Sequence, residues 1–170
     1  MAKDSRDSLP TLPRDKPIRV AVYCRVRLIS PEQASEYETQ ARHYQKLIAA
    51  QPDWDFAGLY IDERDTHRAQ FNAMLRDAKS GKIDLIVTKS AFRFCKNSID
   101  CVSILRELLR LKPPIGVYFE TERLNTLEFP DEGYLMVLPI LAELEHKKRS
   151  VAAKLSWQRR KERSLYEHGE

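Results

Sequence analysis

The chain alternates between short apolar runs and longer segments in which apolar residues recur at helical spacing. Residues 18–23 form a β-rich run directly after Pro17, which predicts a buried or half-buried first strand. Similar runs predict strands at residues 56–61, 85–87 and 115–119. Because strands and helices alternate along the chain, the predicted fold class is α/β, with a mostly parallel sheet between helices.

In the segments between these strands, apolar residues recur at helical spacing. Residues 32–50 carry an apolar face, and residues 71–78 form a shorter helix. A third helix begins at Asn97 or Ser98, either of which can cap it, and ends before Pro113.

The last third of the chain changes character, because residues 133–163 form one long predicted helix that is apolar at first and basic afterwards. Pro139 is the expected site of a kink. We therefore divide the chain into a flexible N-terminal tail (1–17), an α/β domain (18–132) and the long helix (133–170). On the residues alone, the basic end suits a solvated helix terminus and nucleic-acid contact equally well. Its basic residues are Lys147, Lys148, Arg149, Lys154, Arg159, Arg160, Lys161 and Arg163.

Composition fits one small globular domain without a membrane segment or a metal. The 170 residues are 42% hydrophobic and 32% charged, with a net charge of +4. No apolar run approaches the roughly 18 residues that span a bilayer. Cys24, Cys95 and Cys101 lack the spacing of a disulfide framework or a zinc ribbon, and the histidines lack metal-ligand spacing. No glycine-rich phosphate loop follows the first strand, which disfavours a nucleotide-binding protein, so we expect no metal and no cofactor.

The end of the first strand carries the most informative motif, because residues 18–33 read IRVAVYCRVRLISPEQ. This run resembles the start of the serine recombinase catalytic domain, the resolvase/invertase family, and is closest to the N-terminal domains of large serine recombinases. Its Tyr-x-Arg-Val and Glu-Gln match the family motif, whereas Arg27 stands at the position of the nucleophilic serine. Further matches at residues 52–63, 80–90 and 117–127 extend the resemblance over roughly residues 18–160.

The resemblance implies a three-layer resolvase-like catalytic domain and the chemistry of DNA strand exchange. In that family a serine hydroxyl attacks a DNA phosphodiester to form a protein–DNA phosphoester, while arginines stabilise charge on the phosphoryl oxygens. Arg25, Arg68 and Arg93 match family arginines, and Lys96 replaces another, keeping the charge but losing the bidentate fork. We call these four residues the predicted phosphate clamp. The long helix would pack two subunits together and carry the chain onto DNA through its basic end.

Several departures from the family pattern predict that the chain does not cleave DNA. Arg27 has no lone pair with which to attack phosphorus. Phe92 replaces a polar residue, residues 62–68 are a shortened segment, and Lys147 or Lys148 replaces a glutamate. Together these changes predict an inactive pseudo-enzyme.

An alternative keeps the enzyme active, with Ser30 or a serine from a partner subunit as the nucleophile for DNA strand exchange. Ser30 more simply caps the helix that begins at Pro31. Cys24 is intrinsically a stronger nucleophile, but its position at the end of a strand predicts a buried, inert thiol.

The resemblance also implies partners. DNA is the expected ligand, bound by a homodimer or tetramer, or by a hetero-pair with an active recombinase, during recombination or integration of a mobile element. We expect a cytoplasmic, nucleoid-associated protein of bacterial, phage or mobile-element origin. Up to Glu170 no helix-turn-helix domain follows the long helix, so we expect affinity to come from phosphate contacts rather than from base readout.

Overall fold

The computed structural model of the chain describes residues 16–26, 31–63, 67–95 and 97–128, together with residues 147, 151, 155 and 156. The strands and helices predicted from the sequence are present within these ranges, with bounds that differ by a few residues. In chain order the elements are β1 (Ile18–Val26), α1 (Pro31–Ala49), β2 (Trp54–Glu63), α2 (Ala69–Lys79), β3 (Leu85–Thr88), α3 (Ala91–Phe94), α4 (Ser98–Arg110), β4 (Gly116–Phe119) and β5 (Leu124–Asn125).

The strands form one sheet in the order β2-β1-β3-β4-β5. β1, β2, β3 and β4 run parallel, and β5 pairs antiparallel with β4. The predicted α/β class with a mostly parallel sheet is therefore confirmed. The sequence pattern missed α3 and β5 because elements of four and two residues are too short to show a hydrophobic period.

Side chains alternate along β1, so successive residues lie on opposite faces of the sheet. Helices cover both faces. Val20 and Val22 are buried with Tyr44 of α1 on one face. Ala21 and Tyr23 are buried on the opposite face, in the core that α2 and α4 cover. The result is a layer of strands between two layers of helices.

Aromatic rings fill the core on the α2 and α4 face. The ring of Tyr23 lies edge-on to that of Phe71 with centroids 5.0 Å apart, and Phe71 is likewise 5.0 Å from Phe94. Phe119 of β4 completes the group at 5.8 Å from Phe94. Edge-to-face pairs at such distances add to the energy of burial, so they provide a rigid base beneath the carboxyl ends of β1 and β3.

The turns around this core use local capping as the sequence predicts. Asn97 is the N-cap of α4, and its side-chain oxygen accepts a hydrogen bond from the Asp100 amide at 2.9 Å. After α2, Gly81 adopts a φ of 76°, a left-handed conformation that glycine takes without strain. At the amino ends of the central strands, Arg19 Nε donates to Asp84 at 2.8 Å and joins β1 to the start of β3.

Most of the predicted long helix lies outside the described residues. Lys147, Val151, Leu155 and Ser156 are helical and exposed. The rest of 133–170 and the N-terminal tail up to residue 15 are not among the described residues, so the division into domains stays a prediction. Within the described part of the chain, no helix has the length and apolar character needed to cross a membrane. The same residues contain no group of three or more His, Cys, Asp or Glu side chains placed to hold a metal ion.

Candidate active site

The sheet topology produces a crevice at the carboxyl ends of β1 and β3. From β1 the chain passes through α1 to β2 on one side, and from β2 it passes through α2 to β3 on the other side of β1, with the two helices on opposite faces. Ligands of open α/β sheets bind where the winding direction reverses in this way. Arg25 near the end of β1 and the turn from Ser90 to Phe94 after β3 both lie at this edge.

Arg93 is positioned by the turn after β3. Ser90 is the N-cap of α3, and its hydroxyl accepts from the Arg93 amide at 3.4 Å. The Glu122 carboxylate, in the turn between β4 and β5, accepts from the Ala91 amide at 3.3 Å. Held in this way, Arg93 Nη1 donates to the carbonyl oxygen of Arg25 at 3.2 Å. Arg93 therefore lies exposed across the end of β1.

Arg68 is the buried member of the predicted phosphate clamp, with only 8% of its surface exposed. It precedes α2 in a left-handed conformation (φ 53°, ψ 41°), which is uncommon for a residue other than glycine. Its Nη2 donates to the carbonyl oxygen of Phe94, and its guanidinium carbon lies 3.7 Å from the centroid of the Phe71 ring. Its Nε is buried without a hydrogen-bond partner among the described residues. The guanidinium is thus fixed in place by the Phe94 carbonyl and the Phe71 ring.

Asp62 organises this arrangement, although it was not among the predicted site residues. Its carboxylate is 3% exposed and accepts hydrogen bonds from the amides of Gln70 at 3.0 Å and Phe71 at 2.9 Å. Because Arg68 makes no side-chain cap, Asp62 satisfies these amides of the first turn of α2. Tyr23 also donates to Asp62 at 3.2 Å, and burial raises the pKa of Tyr23, so its hydroxyl keeps its proton. The sequence signal for Asp62, an acid at the end of a strand, does not reveal which helix it caps.

A cleft of about 390 Å³ opens beside Arg68, between α2 and α4. One wall comes from α2 and the residues before it, and the other wall comes from α4. The buried guanidinium makes part of the first wall positive, Asp100 on α4 is an acid on the second wall, and the remaining lining residues are mixed polar and apolar. The lining residues are His67, Arg68, Phe71, Asn72, Leu75, Asp100, Ser103 and Ile104.

A second polar cluster lies on the α1 face, where Glu120 follows β4. The Glu120 carboxylate pairs with His43 Nε2 at 2.9 Å and accepts hydrogen bonds from the Tyr44 hydroxyl at 3.0 Å and Lys89 Nζ at 3.4 Å. Burial alone would raise the pKa of Glu120, but the hydrogen bonds from His43 and Tyr44 and the charge of Lys89 lower it below its usual value. The cluster fastens α1 to the end of β4.

The three cysteines occupy two different environments. Cys24 is free and buried, and burial raises its pKa to about 12, which confirms the prediction of a buried thiol. Cys95 and Cys101 are joined in a disulfide bond, so the prediction that the cysteines form no disulfide is wrong for this pair. The turn at Asn97 returns the first turn of α4 to residue 95, with the two cysteine Cα atoms 5.0 Å apart. Such proximity is a property of the fold and cannot be read from the sequence spacing.

Two of the predicted clamp residues donate hydrogen bonds to backbone carbonyls. Arg93 is bound to the carbonyl of Arg25, and Arg68 is bound to the carbonyl of Phe94. Lys147 is exposed and helical. The roles of all these residues stay predictions. The predicted site residues that lie outside the described residues are Arg27, Ser30, Lys96, Lys148, Arg149, Lys154, Arg159, Arg160, Lys161 and Arg163.

Comparison with solved structures gives the same fold. A resolvase family site-specific recombinase from Streptococcus pneumoniae is 24% identical, with a TM-score of 0.56, over 85% of this chain and 99% of that chain. The N-terminal catalytic domain of TP901-1 integrase is 17% identical, with a TM-score of 0.50, over 76% of this chain and 97% of that chain. A comparison with curated proteins gives no match.

Comparison with protein families gives a match over most of the chain. Residues 20–165 match the family described as Resolvase, N terminal domain. The matched range contains both walls of the cleft, together with Arg25 and Arg93 at the carboxyl end of the sheet. The chain therefore belongs to the resolvase N-terminal domain family, the catalytic domain of serine recombinases.

Proposed function

We propose that this chain is a serine recombinase homologue that binds DNA phosphates at Arg25, Arg68 and Arg93 but does not cleave DNA. Membership of the family supports a function in site-specific recombination. We infer phosphate binding without cleavage from the chemistry of the residues at the site.

The arrangement of the arginines carries the proposal. Arg68 and Arg93 each donate to a backbone carbonyl, which is a neutral acceptor, so these contacts fix the guanidiniums without cancelling their charge. Both lie at the edge of the sheet where ligands of this topology bind. A planar guanidinium with donors remaining suits the bidentate recognition of a phosphate.

The residue at the nucleophile position explains why binding would not lead to cleavage. A serine there would attack phosphorus with its hydroxyl oxygen, and the leaving group would be a deoxyribose oxygen. Arg27 stands at this position and has no lone pair to offer. Its charge would instead add to that of the clamp, which strengthens phosphate binding and leaves the bond intact.

We propose a homodimer or tetramer, or a hetero-pair with an active recombinase, as the binding unit. In a hetero-pair this chain would occupy one DNA half-site while its partner cleaves the other. The basic residues from Lys147 to Arg163 would add sequence-independent phosphate contacts. Replacement of Arg159, Arg160 and Lys161 by glutamine should weaken binding to all duplexes by similar factors.

The direct test combines binding with a search for a covalent product. The full chain is incubated with a pool of random-sequence duplex DNA, and the recovered DNA is run on native and denaturing gels. We expect a shifted band on the native gel and no protein-linked DNA on the denaturing gel. A protein-linked product that disappears in Ser30→Ala would contradict the proposal and support the alternative of an active recombinase that uses Ser30.

A further inference from the structure

The Cys95–Cys101 disulfide lies beside the Arg68 cleft, between the segment whose carbonyl holds Arg68 and the helix that forms the second wall. Cys95 directly follows Phe94, whose carbonyl oxygen accepts the hydrogen bond from Arg68. Cys101 lies in the first turn of α4, next to Asp100, which lines the opposite wall. The bond therefore connects the segment that holds Arg68 to the helix that faces it across the cleft.

The surroundings of the bond differ from those of the remaining thiol. Cys24 lies in the core on the α1 face, away from the cleft, and its raised pKa keeps it protonated. Cys95 retains 6% exposure and Cys101 none, and both belong to the core on the other face. The neighbouring Ile99 is 80% exposed, so the turn that carries the bond is at the surface. Cys24 is consequently a matched control for the pair.

We propose that Cys95 and Cys101 form a thiol–disulfide exchange site whose redox state controls the geometry of the Arg68 cleft, with a dithiol reductant as its reaction partner. One thiolate of the reductant attacks Sγ of Cys95, the residue with the larger exposed fraction, and forms a mixed disulfide as the Cys95–Cys101 bond breaks. The sulfur of Cys101 leaves as a thiolate at the N-terminus of α4, where the helix dipole stabilises negative charge, and then takes up a proton.

The second reductant thiol completes the exchange. It attacks its partner sulfur in the mixed disulfide and releases Cys95 as a thiol. The reductant is oxidised to a disulfide, and its two electrons and two protons reach Cys95 and Cys101. No further co-reactant is needed.

The consequence for the cleft follows from the contacts on each side of the bond. In the oxidised protein the Phe94 carbonyl, and with it Arg68, is fixed relative to α4. Reduction removes the covalent cross-link between Cys95 and α4, while the Cys95 amide still donates to the Ala91 carbonyl at 2.9 Å. Because an ordered side chain binds more tightly than one that must be ordered, the reduced form should bind DNA about 2- to 10-fold more weakly. This last step rests on the proposed function, whereas the exchange itself does not.

The test begins with thiol counting on the full chain. Protein oxidised in air is unfolded and alkylated with iodoacetamide, with and without prior treatment with dithiothreitol, and its mass is measured. We expect one alkylated cysteine without dithiothreitol and three with it. Three alkylated cysteines in the oxidised sample would overturn the proposal.

Amide hydrogen exchange then measures the effect on the cleft independently of DNA. We expect exchange at residues 95–104 to be faster by about tenfold in the reduced protein and in Cys95→Ser/Cys101→Ser. Cys24→Ala, which removes the third cysteine without placing a hydroxyl in the core, should show the same difference between the two redox states as the unmodified chain. Equal exchange rates in the two states would overturn the proposal, because the bond would then be a passive link. If exchange changes while neither form binds DNA, the exchange site is supported and the proposed function fails.

Discussion

Asp62 offers the sharpest test of how the site is built, because one buried carboxylate holds both the start of α2 and Tyr23. In Asp62→Ala the amides of Gln70 and Phe71 lose their acceptor, and the hydroxyl of Tyr23 loses the acceptor for its proton. Loss of a helix cap costs about 0.5–2 kcal/mol. A buried donor left without an acceptor costs about 1–3 kcal/mol.

The free energy of unfolding of Asp62→Ala should therefore fall by about 1.5–5 kcal/mol. For a chain of this size each kcal/mol lowers Tm by about 2–4 °C, so the expected decrease is about 3–20 °C. The measurement is thermal unfolding followed by circular dichroism. Asp62→Asn should lose less, because its amide oxygen still accepts from one of the two backbone amides, that of Gln70, and its amide group can donate to the Tyr23 oxygen.

Asp55→Ala is the matched control, since Asp55 is an exposed acid on the same strand. Its Tm should change little, as expected for a surface substitution. If Asp62→Ala were no less stable than Asp55→Ala, the carboxylate would not hold the start of α2, and our explanation of the position of Arg68 would be wrong.

The remaining predictions concern other parts of the chain. Glu120→Gln should lower the free energy of unfolding at neutral pH, because the pKa of Glu120 is lowered in the folded protein. This contribution is present above the pKa of the unfolded carboxyl and is lost as pH falls through the lowered folded pKa. The free energies of unfolding of the two proteins, measured with denaturant, should therefore converge at acidic pH. Native Cys24, with a pKa raised to about 12, should resist iodoacetamide at pH 8, and rapid alkylation would contradict its burial. Gly116→Ala should destabilise the chain by about 1–3 kcal/mol in urea unfolding, because the new Cβ would lie 2.7 Å from Leu127 Cδ1. Arg27→Ser alone should not restore recombination in a plasmid assay, and recovered activity would show that the other departures are compensated.

The elements that the sequence predicted well are those with long hydrophobic periods or strong punctuation. The alternation in β1 predicts a buried strand, and Asn97 is a strong cap for α4. The position of Arg25 at the end of a strand also places it at the ligand edge of the sheet. Each of these inferences uses residues that lie within a few positions of one another.

The features that the sequence did not reveal depend on contacts between distant segments. Asp62 and Tyr23 are on different strands, and only the parallel register of β1 and β2 brings the two side chains together. Likewise, the pairing of Cys95 with Cys101 depends on the turn at Asn97. Neither arrangement has a local pattern, so each became visible only in the fold.

The most direct test of the central claim is the salt dependence of DNA binding, measured by fluorescence anisotropy with a labelled random-sequence duplex. The slope of log K against log salt concentration reports the number of phosphates contacted. Arg93→Gln changes an exposed residue of the clamp, and Arg42→Gln removes the same charge from an exposed position on α1. We predict a slope smaller by about 1 in Arg93→Gln and an unchanged slope in Arg42→Gln. Equal slopes in all three proteins, or no binding at low salt, would contradict a phosphate-binding clamp at this site.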